Sequence, residues 1–192
     1  CSELKIQVLS VFAFSTENWK RPVQEVNAIL NLLLYYFKRE INILHENNVK
    51  LMISGDWDEL PSKIKAEIKR SIELTQNNTG LILNIVLNYG SRKEIVKACR
   101  EICLDVKDGK VNVEQIDENL FEKYLFTGNI SDPDLLIRPS GELRISNFLL
   151  WQIAYAELWF TEVYWPEFKP KDLLRALIDY QRRERRFGGL KR

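Results

Sequence analysis

Residues 81–106 read LILNIVLNYGSRKEIVKACREICLDV. The run at 81–87 is apolar apart from Asn84 and long enough for a buried strand. Asn88-Tyr89-Gly90 supplies turn chemistry. Ser91 is placed to cap a helix, which is expected to continue to about Val106. A strand, a tight polar turn and a helix form the repeating unit of a parallel α/β sheet.

The same pattern recurs on both sides. Residues 4–14 (LKIQVLSVFAF) are an apolar strand that ends in the polar cluster STENWKR. Pro22 suits the first turn of a helix. Val26, Ile29, Leu30, Leu33, Phe37, Ile41 and Leu44 then recur at helical spacing up to His45. Residues 49–54 (VKLMIS) predict a second strand, closed by Gly55-Asp56. Ile64, Ile68 and Ile72 mark a helix from Pro61 to about Gln76, which Asn77-Asn78-Thr79-Gly80 stops. Downstream, the expectations are one or two short helices over 113–126, a fourth strand at 135–137 and a helix at 147–156. A fifth strand at 158–163 and an amphipathic helix at 172–186 follow. The predicted fold is α/β: one domain spanning 1–192, with a mostly parallel central sheet flanked by helices, the strands being apolar on both faces. Ligands of such sheets lie beyond the carboxyl ends of the strands. The polar clusters after Phe14, Leu87 and Ile137 all fall there.

Bulk properties narrow the function. The chain has 192 residues, 45% hydrophobic and 29% charged, with a net charge of +1. Near-neutral charge gives no electrostatic case for nucleic acid or an anionic membrane. Three cysteines are too few for a disulfide framework, and Cys99 and Cys103, four apart, are expected on a buried helix face. A single histidine, His45, excludes a multi-histidine metal site. No run reaches the ~18 apolar residues of a membrane span, and no signal peptide is evident at Cys1.

Four features carry candidate chemistry. Ser15, Thr16, Glu17, Asn18, Trp19, Lys20 and Arg21 place a carboxylate, an amide, an indole and two cations in one loop after a strand. As bland groups they are capping residues and a surface tryptophan. Arg138, Arg144 and Ser146 flank a Ser-Gly turn at a strand end. The arginine fork bonds two phosphate oxygens at once, so this cluster suits a diphosphate. The alternative is a structural ion pair with Glu142. Glu157 stands in a mostly apolar stretch, and a carboxylate there needs either an arginine partner or a cation such as Mg²⁺. The basic tail RRERRFGG at 182–189 is favourable at a helix end, and its glycines let backbone amides approach an anion.

FAFSTENWKRP at 12–22, NNTGLILNIVLNYGSR at 77–92, DLLIRPSGELRISNFLLWQIAYAELWFTEVYWPEF at 134–168 and RRERRFGG at 182–189 together resemble the cis-prenyltransferases, above all the bacterial undecaprenyl diphosphate synthases. The resemblance covers almost the whole chain. It implies a Mg²⁺-dependent enzyme without a redox cofactor. Such an enzyme condenses isopentenyl diphosphate onto an allylic diphosphate, usually farnesyl diphosphate, with new double bonds in cis. The product, undecaprenyl diphosphate, is a precursor of the cell-wall lipid carrier. Arg138, Arg144, Ile145 and Ser146 match positions around the isopentenyl diphosphate group, and Glu157 matches a magnesium carboxylate. Ser15, Thr16, Glu17, Trp19 and Arg21 match substrate positions. Asn18 matches the residue assigned to proton acceptance; an amide is a poor base, so positioning is its more natural role. Ala13, Val49, Leu81, Leu83 and Ile85 are candidates to line a tunnel for the growing chain. The tail matches a segment that completes the phosphate site of a second subunit in a homodimer. A cytoplasmic enzyme is implied, with peripheral membrane contact for product release.

One motif of the family has no match. Its members carry an Asp-Gly-Asn-Gly-Arg-Trp segment whose aspartate serves magnesium and the allylic diphosphate, and this sequence starts after that point. The expectation is an amino-terminally truncated domain, inactive alone. The rival readings are a non-catalytic partner subunit of the same family, and a phosphate- or nucleic-acid-binding module using the basic tail.

Overall fold

The computed structural model describes residues 1–185 and divides into two compact units, Cys1–Ser131 and Asp132–Arg192. The fold class is α/β, and every strand pairing is parallel.

The first unit holds β1 (Val8–Ser15), α1 (Val23–Glu46), β2 (Lys50–Ser54), α2 (Ser62–Thr75), β3 (Ile82–Tyr89), α3 (Ser91–Lys107) and α4 (Glu118–Lys123). Its three strands run in the order β1-β3-β2. Side chains alternate across a strand, and here the two faces differ. Leu51, Ile53, Leu83, Ile85 and Leu87 pack with Val26, Leu30, Phe37 and Ile41 of α1 and Ile64 and Ile68 of α2. Each fully buried aliphatic or aromatic side chain of this core is worth about 1.5–3 kcal/mol. Across the other face runs a polar line. Ser54 Oγ donates to Asn84 Oδ1 (2.9 Å), and Asn84 Nδ2 donates to Ser10 Oγ (3.1 Å). These strands are therefore not apolar on both faces.

The amino ends of the strands are held by paired turns. Asn48 closes α1 in the left-handed region (φ 56°), which asparagine tolerates. Its Oδ1 accepts from Thr79 N–H (2.9 Å), and its carbonyl accepts from Gly80 N–H (3.0 Å). A Cβ on Gly80 would lie 2.4 Å from that carbonyl oxygen, so this turn requires glycine.

The second unit holds β4 (Leu135–Arg138), β5 (Glu157–Phe160) and α5 (Pro170–Arg182). β4 and β5 form their own ladder, with Leu135 opposite Glu157 and Arg138 opposite Phe160.

Several expectations are corrected. No helix forms over 147–156. Ser146, Asn147 and Leu149 all have positive φ (54°, 60° and 47°), which breaks a right-handed helix into isolated turns. Leu149 and Ile153 are both buried, and their spacing of four mimics a helix face. Cys99 and Cys103 are exposed: the buried residues of α3 are Ser91, Glu94, Ala98 and Ile102, and each cysteine sits one residue beyond a buried one. The cap of α3 is Gly90, with Ser91 as its first helical residue. The first strand begins only at Val8, after a short turn that ends with Lys5 at φ 56°. The fifth strand covers 157–160 rather than 158–163. The segment from residue 186 onward, which contains the second half of the basic tail RRERRFGG, lies outside the described residues.

Candidate functional site

At the carboxyl end of β1 the pairing with β3 slips twice: Ala13 is skipped on β1, so that Phe14 meets Leu87, and Asn88 is skipped on β3, so that Ser15 meets Tyr89. Irregularities of this kind re-aim side chains beside functional sites. The slip delivers residues 16–20 as one short 3₁₀ turn (Thr16–Lys20) next to Asn88-Tyr89-Gly90. Within it, Asn18 Oδ1 accepts from the Ser15 backbone N–H (2.8 Å). One lone pair of the amide oxygen thus holds the turn, as a positioning group would. Thr16 Oγ1 donates to Glu17 Oε2 (3.3 Å), and Arg21 pairs with Glu25 of α1.

Trp19 is 43% exposed, yet it is anchored. Its ring meets Phe14 edge-on at 5.2 Å, and its Nε1 donates to Asn88 Oδ1 (2.7 Å). Asn88 is 1% exposed at φ 49°. Its Nδ2 donates to the Asp56 carbonyl (2.9 Å) and to Glu59 Oε2 (3.0 Å), in the loop after β2. Lys93 at the start of α3 reaches Asp56 Oδ2 (2.9 Å) and Glu59 Oε2 (3.1 Å). The Lys93 ammonium, followed by the Asn88 amide, holds the Glu59 carboxyl below the usual carboxylate range. Asp56, followed by Glu59 after a partly offsetting burial, raises Lys93. Gly55 permits this convergence: at φ 125°, a Cβ there would lie 2.0 Å from the Leu87 carbonyl oxygen. Asn88, Asp56, Glu59 and Lys93 escaped the sequence reading. Their only local signal is the Asn-Tyr-Gly at a strand end.

In the second unit, Arg138 ends β4 and the chain turns through Ser140 (φ 75°) and Gly141 (φ 70°). Backbone bonds from Ser140 N–H to the Val163 carbonyl (2.9 Å) and from Gly141 N–H to the Thr161 carbonyl (2.8 Å) hold the turn against the segment that follows β5. Arg138 Nη1 donates to Ser146 Oγ at 3.4 Å. Arg138 and Arg144 both pair with Glu142, one on each carboxylate oxygen. Arg138, Arg144 and Ser146 are thus gathered as anticipated, with Ile145 half-buried between them. The ion pair with Glu142 coexists with that gathering: one carboxylate holds the two guanidinium forks together.

Glu157 is not part of this gathering. It lies opposite Leu135, three residues back from Arg138 along the ladder, or about 10 Å at the rise of a strand. Its Oε2 accepts from Arg183 Nη1 (2.9 Å), and Arg183 Nη2 also pairs with Asp179 (2.8 Å). Glu157, then Asp179, raises Arg183 above its usual value. Among the described residues no group of three or more histidine, cysteine, aspartate or glutamate side chains converges on a metal position. A magnesium ion shared with a substrate diphosphate needs only one or two protein carboxylates. Glu157 fits that mode, with Arg183 as its competing cation. Of the tunnel candidates, Val49 is buried, Leu83 and Ile85 pack on the core, and Ala13 is exposed. No helix among the described residues is long and apolar enough to cross a membrane.

A prenyltransferase family model described as "Putative undecaprenyl diphosphate synthase" matches residues 1–188. An isoprenyl transferase of Heliobacterium mobile is 52% identical over 191 residues, spanning 100% of this chain and 74% of the relative. A lavandulyl diphosphate synthase from Lavandula x intermedia, solved in complex with dimethylallyl diphosphate, superposes with a TM-score of 0.93. It is 35% identical and covers 97% of this chain and 81% of its own. A "probable undecaprenyl diphosphate synthase" from Campylobacter jejuni gives a TM-score of 0.87 at 34% identity, covering 98% and 87%. A family model over nearly the whole chain, a relative 52% identical over 191 residues and two superposed solved folds agree: the chain belongs to the prenyltransferase family of the undecaprenyl diphosphate synthases.

Proposed function

We propose that this chain is an isoprenyl transferase that condenses isopentenyl diphosphate onto farnesyl diphosphate, in repeated cycles with cis double bonds, to make undecaprenyl diphosphate for a cell-wall lipid carrier. The observation that carries this reading is the pairing of Arg138 and Arg144 around one anion, with Ser146 Oγ beside Arg138. Two forks and a hydroxyl on a turn after a parallel strand suit a diphosphate better than any other common ligand.

In each cycle the allylic carbon–oxygen bond breaks and diphosphate leaves with the electron pair. The terminal carbon of isopentenyl diphosphate bonds to the allylic carbon, and one proton is lost. Arg138, Arg144 and Ser146 hold the isopentenyl diphosphate group while Ile145 packs beside them. Ser15, Thr16, Glu17, Trp19 and Arg21 contact substrate, and Asn18 keeps their turn in shape. Glu157 would hold a magnesium ion, which would supply charge neutralisation for the departing diphosphate. The proposed assembly is a homodimer. The enzyme works in the cytoplasm, with peripheral membrane contact when the long apolar product leaves.

The test is product structure. Supplying isopentenyl diphosphate with dimethylallyl, geranyl or farnesyl diphosphate, then sizing the products and reading their double-bond geometry by NMR, should give long chains with new cis bonds from farnesyl diphosphate. Products of a single condensation, or all-trans chains, would contradict the reading.

A further inference from the structure

We propose that Asn88 is a positioning residue for the loop at 15–21, presenting that loop to substrate by holding Trp19 against the ends of the other two strands. The inference rests on the reading of that loop as a substrate loop.

Three observations point to it. First, Asn88 is 1% exposed and uses its whole amide: Oδ1 accepts from Trp19 Nε1 (2.7 Å), and Nδ2 donates to the Asp56 carbonyl (2.9 Å) and Glu59 Oε2 (3.0 Å). One side chain thereby ties the end of β3 to the segments that follow β1 and β2. Second, its backbone sits at φ 49° with its carbonyl accepting from Asp56 N–H (3.3 Å), so its side chain is aimed by the turn itself. Third, Trp19 is not otherwise enclosed. At 43% exposure it has the edge-on contact with Phe14 at 5.2 Å, and that contact does not set the direction of its N–H. Lys93, bonded to Asp56 and Glu59, braces the far side of the chain of bonds. A polar group so fully engaged in a buried site rigidifies its surroundings.

The amide can be dissected. Asn88→Asp keeps the acceptor for Trp19 and tolerates the left-handed backbone, but loses both donors and faces Glu59. Asn88→Gly removes every side-chain bond without backbone strain. Both should be compared with the unaltered full-length gene product for kcat and KM with each diphosphate, melting temperature and Trp19 emission. The last is isolated by subtracting the spectrum of the matching Trp19→Phe variant, since the chain has five tryptophans. We expect Asn88→Gly to red-shift Trp19 emission and lower kcat/KM about five- to tenfold, the effect of one hydrogen bond. Asn88→Asp should melt lower, yet keep Trp19 emission and hold kcat/KM within about twofold. If Asn88→Gly does not fold, the signature of Asn88→Asp suffices: reduced melting temperature with retained emission and turnover.

A merely structural role predicts the reverse, with activity falling in step with melting temperature and Asn88→Asp the worse variant, and that result overturns the proposal. Unchanged Trp19 emission in Asn88→Gly overturns it by removing the tie between the two residues. A shifted emission with unchanged turnover overturns it through the other premise, showing that the 15–21 loop does not serve the reacting substrates.

Discussion

Arg183 lies against Glu157, Nη1 to Oε2 at 2.9 Å, and the same guanidinium reaches the Leu158 carbonyl (2.9 Å) and Asp179 (2.8 Å). The carboxylate proposed to hold magnesium is thus already paired with a cation of the chain itself. Both partners are about one-third exposed, so the pair contributes about 1 kcal/mol or less to stability. Removing each partner should therefore have opposite consequences for metal binding. Glu157→Gln should raise the Mg²⁺ concentration for half-maximal activity at least about tenfold and abolish the Mg²⁺ heat seen by calorimetry in the presence of diphosphate. Arg183→Gln should tighten that binding by unmasking the carboxylate. Equal Mg²⁺ dependence in both variants would show that Glu157 is a structural partner of Arg183.

Arg138 is the residue whose geometry, and not only its charge, should matter. Its Nη1 faces Ser146 Oγ while its Nη2 pairs with Glu142. Lysine keeps the charge but loses the fork. Arg138→Lys should raise the KM for isopentenyl diphosphate about tenfold or more, with little change in melting temperature. Glu142→Gln should act in the other direction, lowering that KM by removing a carboxylate that competes with diphosphate for both arginines. Steady-state kinetics on the two variants checks both signs.

Gly55 sets the approach of the loop after β2 to β3. Alanine there would face both φ 125° and a Cβ 2.0 Å from the Leu87 carbonyl oxygen. Gly55→Ala should destabilise by about 3 kcal/mol or more, read as a lower urea midpoint. An unchanged midpoint would mean that this turn is laxer than its geometry implies.

The Glu59–Lys93 pair gives an acid-side prediction. Glu59 has a lowered folded value, so its contribution to stability is present above the ordinary glutamate value of 4.5 and is lost as pH falls through the lowered one. Lys93 has a raised value, so its contribution persists through neutral pH and is lost only on the alkaline side, above 10.5. Urea midpoints measured from about pH 7 to about pH 3 should fall less steeply for Glu59→Gln than for the unaltered protein. Parallel curves would remove Glu59 from the acid response.

The strands and their order along the chain were legible because buried parallel strands are runs of apolar residues. The proximity of Arg138, Arg144 and Ser146 was legible because they are close in sequence around one Ser-Gly turn at a strand end. What stayed hidden was long-range or conformational. Asn88 reads as an ordinary turn residue, and nothing local shows that its amide takes the indole of Trp19, 69 residues away. Likewise Arg183, 26 residues from Glu157, could not be matched to it by spacing. The apolar spacing of Leu149 and Ile153 imitates a helix, and only the positive φ of Ser146, Asn147 and Leu149 reveals turns. Cys99 and Cys103 fell on the exposed side of α3 because Ala98 and Ile102, one position earlier, take the buried stripe.

The most direct measurement is the incorporation of radiolabelled isopentenyl diphosphate by the full-length gene product with farnesyl diphosphate and Mg²⁺, with Arg138→Lys run in parallel. Label is expected in long-chain polyprenyl diphosphate from the unaltered protein, sharply reduced in Arg138→Lys and recovered when isopentenyl diphosphate is raised. A folded protein that incorporates no label, or an Arg138→Lys variant with unaltered kinetics, would contradict that expectation.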